Sequence, residues 1–97
     1  MAYDPGAIDA TLAAAVGDEP ILIAELRIAF IESAERALTA MTLATDVDDW
    51  RAAAWRLKGL AASFGAIRLM TIATAVADGD PRDAEGLKKL RRAVANL

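Results

Sequence analysis

Val47, Trp50, Ala54, Leu57, Ala61 and Phe64 recur at intervals of three, four, three, four and three residues. That period lays one apolar stripe along an α-helix and is incompatible with the alternation of a half-buried strand. Similar spacing returns in the other segments, and Pro and Gly fall mainly at their borders. Asp4-Pro5 supplies an N-cap with Pro at the first helical position, and Ile8, Leu12 and Val16 form a stripe that Gly17 stops. Asp18-Glu19-Pro20 repeats the start signal. Ile23, Leu26, Phe30, Ala34, Leu38 and Met41 then line a long helix ending near Ala44, with Glu32 and Arg36 four apart on its wet side. Asp46 or Asp48 caps the helix of residues 47–64, which Gly65 ends. Ala66 opens a fourth helix with Leu69, Ile72, Ala73 and Val76 inward, closing around Asp78-Gly79. Asp80-Pro81 starts the last, with the stripe Leu87, Leu90, Val94 and Leu97. The expectation is an all-α fold, an antiparallel four-helix bundle with a short additional N-terminal helix, occupying residues 1–97 as one domain.

Composition agrees and narrows the chemistry. About a quarter of the 97 residues are Ala, the best helix former, which leaves enough large apolar side chains for one modest core. There is no Cys, hence no disulfide, thiolate metal site or Cys nucleophile. There is no His, which removes the usual general base near neutral pH and the commonest metal ligand. No cofactor or metal is expected. The longest stretches without charge, such as 37–45 and 69–77, are about half of what a membrane helix requires, and the start shows no basic leader. A cytoplasmic protein without membrane insertion is expected. Residues 1–45 carry seven acids and two bases, whereas residues 81–97 carry two acids and five bases. Lys88, Lys89, Arg91 and Arg92 lie toward a helix C-terminus, where positive charge complements the helix dipole. With a net charge of −3 the chain lacks the electrostatic footprint of a nucleic-acid binder, and none is expected as partner.

The 47–64 helix breaks two local rules on its outer side. At 100° per residue Trp55 falls about 130° and Gly59 about 170° from the core direction, so both face outward. Ala52, Arg56 and Ala62 share that half, and Arg51 and Lys58 flank it. A mid-helix Gly costs about 1 kcal/mol relative to Ala, and a Trp is seldom left in water. Conflicts of this kind gather at functional surfaces. Two structural readings compete: Gly59 allowing a close helix crossing, and Trp55 lying over the edge of a neighbouring helix.

The run Ala53-Ala54-Trp55-Arg56-Leu57-Lys58-Gly59-Leu60-Ala61-Ala62-Ser63-Phe64-Gly65-Ala66 resembles the signature of histidine-containing phosphotransfer (HPt) domains: His, any residue, Leu, Lys, Gly, then small residues and Gly-Ala. Ile8-Asp9 through Val16-Gly17-Asp18, Phe30-Ile31-Glu32 and Asp49-Trp50 extend the likeness, which runs to about Ala77. The resemblance implies a four-helix bundle whose exposed histidine takes a phosphoryl group from the aspartyl phosphate of a receiver domain. In that family the neighbouring Lys offsets phosphoryl charge and the Gly one turn on leaves room for the partner; Lys58 and Gly59 stand at those positions. Trp55 stands at the histidine. An imidazole nitrogen has an in-plane lone pair to receive phosphorus, whereas the indole nitrogen only donates a hydrogen bond. Leu60 replaces a residue that the family commonly keeps small.

No catalytic residue is therefore expected. The resemblance implies a non-phosphorylatable, non-enzymatic adaptor of two-component phosphorelay signalling. It would dock a response-regulator receiver domain or a histidine kinase through Arg51, Trp55, Arg56, Lys58, Gly59 and Ala62, and would itself be a monomer. Three alternatives stand beside it: self-association through the Trp55 face, an altered form of an active phosphotransferase, and a carrier modified at Asp46, Asp48 or Asp49.

Overall fold

The computed structural model describes residues 5–17, 19–80 and 83–97. Five helices follow in chain order: α1 (Pro5–Val16), α2 (Pro20–Leu43), α3 (Val47–Ser63), α4 (Ile67–Asp78) and α5 (Ala84–Ala95). No strand occurs among the described residues. Asp4, Asp18 and Pro81, which belong to the expected start signals, lie outside them.

Local chemistry sets the helix ends that can be seen. Asp46 Oδ1 accepts from the Asp49 amide at 2.8 Å and caps α3, so Asp46 rather than Asp48 does this work. At the other end Gly65 adopts a φ of 72°, where a Cβ would crowd the backbone. The Ala66 amide then reaches back to the Ala61 carbonyl at 2.8 Å, and Gly65 to Ala62 at 3.4 Å. This pair of bonds satisfies carbonyls that the helix end would otherwise orphan, and Ala61 and Ala66 are both buried beneath it. One expected boundary and one expected pairing change. The last helix begins at Ala84, not at Asp80-Pro81, because the Asp83 carboxylate accepts from the Glu85 amide at 3.1 Å and supplies the cap. Arg36 turns to the Ser33 hydroxyl at 2.9 Å, three residues back, instead of pairing with Glu32.

Packing follows the stripes. α2 touches α1, α3 and α5, and α4 touches α3 and α5, so α2 to α5 form a closed circuit of contacts. The largest fully buried side chains are Phe30, Ile8, Met41, Leu57, Leu69 and Leu90, drawn from all five helices. Phe30 and Phe64 stack with ring centroids 4.6 Å apart, joining α2 to the end of α3. Alanines fill the remaining seams: Ala34, Ala37, Ala54, Ala61 and Ala73 have no exposed surface. Val47, expected inward, is 42% exposed because it lies in the first turn of α3. Trp50, by contrast, is 4% exposed and buries an indole N–H that finds no acceptor among the described residues. Such an orphaned donor costs about 1–3 kcal/mol, which the burial of its large ring must outweigh.

Arg27 links distant parts of the chain. Its guanidinium pairs with Asp9 of α1 and donates to the Leu97 carbonyl at 3.1 Å. Nothing in the sequence pattern marks this contact, since its members are far apart in the chain.

Gly86 is buried in α5, and a Cβ added there would sit 2.7 Å from Asp83 Oδ2 and 2.9 Å from Val76 Cγ2. Gly86→Ala therefore pushes the Asp83 cap and α4 away from α5. Overpacking of this kind costs about 1–3 kcal/mol, more than the propensity that alanine restores. Urea unfolding of Gly86→Ala should show a net loss near 1 kcal/mol.

Candidate functional site

α3 has two faces with different tasks. Trp50, Ala53, Ala54, Leu57 and Ala61 are buried against α2 and α4. With these fixed in the core, the helical period carries Ala52, Trp55, Gly59 and Ala62 to the opposite side, and all four are exposed. Arg51 and Arg56 are exposed on either flank, and Lys58 is half-buried. All six residues singled out in the sequence, Arg51, Trp55, Arg56, Lys58, Gly59 and Ala62, thus reach the surface of one helix.

Trp55 is 47% exposed, so half of a large aromatic ring meets water. Lys58 lies one turn along, and its Nζ stands 4.3 Å from the centre of the Trp55 ring. A cation over an indole face is worth about 0.5–1 kcal/mol at an exposed site. This contact orients the indole and keeps its cation at the surface without an acid partner. The spacing of the two residues, three apart, was the signal available for it in the sequence.

Gly59 is explained by nothing inside the chain. A Cβ built on it meets no atom within 4 Å, so no helix crossing demands a glycine there. The competing structural reading, a close crossing of α3 with a neighbour at Gly59, is therefore excluded by the geometry. Leu60, the other unusual position, is half-buried and packs against the core, so its added bulk serves α3 packing.

Charge is segregated as well. Residues 50–77 contain Arg51, Arg56, Lys58 and Arg68 and no acid. Arg51 and Arg56 make no ion pair with the described residues. The surface is cationic and aromatic in a chain that is acidic overall. An indole at position 55 cannot receive a phosphoryl group.

The other candidate positions have local roles. Asp46 is the α3 cap and Asp49 its amide partner. On α5, Lys88 lies 3.9 Å from Glu85, and Arg91 donates to the Thr42 hydroxyl of α2 at 2.7 Å. Lys89 and Arg92 are exposed. No helix among the described residues is long and apolar enough to cross a membrane.

Comparison of the chain with known protein families, with characterised proteins and with solved structures finds no match.

Since Gly59 costs helix stability with no internal compensation, Gly59→Ala should raise the stability of the protein by about 0.5–1 kcal/mol. A shift of the urea midpoint in the opposite direction to that of Gly86→Ala checks this.

Proposed function

We propose that this chain is an HPt-like signalling module that has lost its phospho-acceptor. It acts as a cytoplasmic adaptor that docks the receiver domain of a response regulator, or a histidine kinase, without carrying phosphate. The observation that carries the reading is Gly59. It is an exposed mid-helix glycine with open space around it, one turn beyond a half-exposed Trp55, at the position where the HPt signature keeps room for a partner. The all-helical fold and the circuit of contacts from α2 to α5, with α1 laid on α2, agree with an antiparallel four-helix bundle of this type occupying the chain as one domain.

The roles follow from chemistry. Trp55 is a rigid aromatic anchor of the kind that dominates binding energy in interfaces. Lys58 holds the ring and, with Arg51 and Arg56, offers positive charge to the partner. Gly59 and Ala62 let the partner backbone approach. With an indole at the acceptor position, docking leaves any phosphoryl group on the partner. The module then competes with true phosphotransfer partners for the same receiver surface.

Burying the exposed half of Trp55 contributes on the order of 1–2 kcal/mol. Titration calorimetry with an isolated receiver domain should therefore show Trp55→Ala weakening binding by roughly 5–30-fold. Trp55→His should regain acid-labile label from a phosphorylated receiver. Label on the unaltered chain would refute the loss of phosphotransfer, and no binding by any receiver or kinase would refute the docking role.

A further inference from the structure

A second surface of this protein is built to complement the first. The outer side of α2 carries Ile21, Glu25, Ile28, Glu32 and Glu35, spaced four, three, four and three residues apart and all exposed. Ile21 is 77% and Ile28 56% exposed, among the largest apolar surfaces that the chain leaves in water. At 100° per residue the stripe points away from the buried Phe30, Ala34 and Met41. None of the three glutamates forms an ion pair with the described residues.

We infer that the Trp55 face of α3 seats the outer stripe of α2 from a second copy of this chain. Three features on the two faces match. The α3 stripe sets the small residues Ala52, Gly59 and Ala62 around the one large ring of Trp55, so a second helix can come close beside that ring. Helices cross closely when a ridge on one enters a groove on the other. The apolar groups match in spacing. Ile21 and Ile28 stand seven residues apart, about 10 Å along the axis, so one indole can lie against both across the aliphatic stem of Glu25. The charges match in sign and placement. Arg51 and Arg56 flank the stripe and lack acid partners, whereas Glu25, Glu32 and Glu35 border the isoleucines and lack basic ones. Opposite charges so arranged set register and partner choice more than affinity. Each copy owns both faces, so the symmetrical form is a two-fold pair with two equal contacts, and the unclosed form is a chain of copies.

This contact does not depend on the receiver reading, but it uses the same Trp55 face, so the two forms of binding exclude one another at that face. Free monomer is then the species that docks a partner, and self-association stores the surface away from water.

A charge exchange tests it with substitutions at exposed positions only. Wild-type protein should sediment with a mass that rises above the monomer between about 10 μM and 1 mM, a range suited to a weak contact. Glu25→Lys with Glu32→Lys places positive stripes on both faces, and Arg51→Glu with Arg56→Glu places negative ones on both. Each double variant alone should remain monomeric at the top of that range. Their equimolar mixture should associate, because each then meets its opposite at both contacts. Trp55→Ala should abolish association in the wild-type background. A wild-type monomer throughout, or a mixture no larger than its components, overturns the inference. A monomer that still binds a receiver in a Trp55-dependent way removes self-pairing and leaves the docking role. Association without receiver binding does the reverse.

Discussion

The close approach of α2, α3 and α4 across alanine seams is what the rest of the structure depends on. Ala34 and Ala37 of α2, Ala54 and Ala61 of α3, and Ala73 of α4 are wholly buried, and each contributes little apolar area of its own. Their value is geometric, because small residues at the line of contact bring the larger ones on either side into full contact. Phe30 can then stack on Phe64, and Leu57 and Leu69 lose all or nearly all contact with water. A core of this kind is sensitive to added volume at the alanines, where a larger side chain would separate whole helices.

α3 belongs to this core and to the surface at once. It packs on two neighbours, α2 and α4, and is capped firmly at both ends by Asp46 and by the Gly65 turn. A surface presented by such a helix is held in place before any partner arrives, which lowers the ordering cost of binding. The Trp55 ring, steadied by Lys58, extends that rigidity to the most exposed aromatic group.

Much of this architecture is legible in the sequence, and the exceptions have physical causes. The apolar stripes identify all five helices, since large side chains at three and four residue intervals leave no other way to bury them together. Ala37 and Ala53 are buried without notice because Ala is common on both sides of these helices and carries no sidedness. Val47 fits the stripe in phase but lies in the first turn, where it stays exposed. The start of α5 is misread because Asp80-Pro81 and Asp83 both satisfy the rules for a helix start, and only the fold shows which carboxylate meets an orphan amide. At the candidate site the outward direction of Trp55 and Gly59 follows from periodicity alone. The freedom around Gly59 does not, because it depends on how near other helices come. The Arg27 contact to Asp9 and to the Leu97 carbonyl is wholly tertiary and has no local signature.

The two tryptophans of the chain, Trp50 and Trp55, sit five residues apart on one helix and in opposite surroundings. The ring of the first is enclosed by the core, while the second is half in water beneath an ammonium group. The protein therefore contains two native optical probes on a single rigid element. Emission from the enclosed indole follows the integrity of the fold, and emission from the wet one responds to quenchers and to anything that covers α3. Loss of the fold and coverage of the outer side of α3 thus act on different indoles, without an attached label.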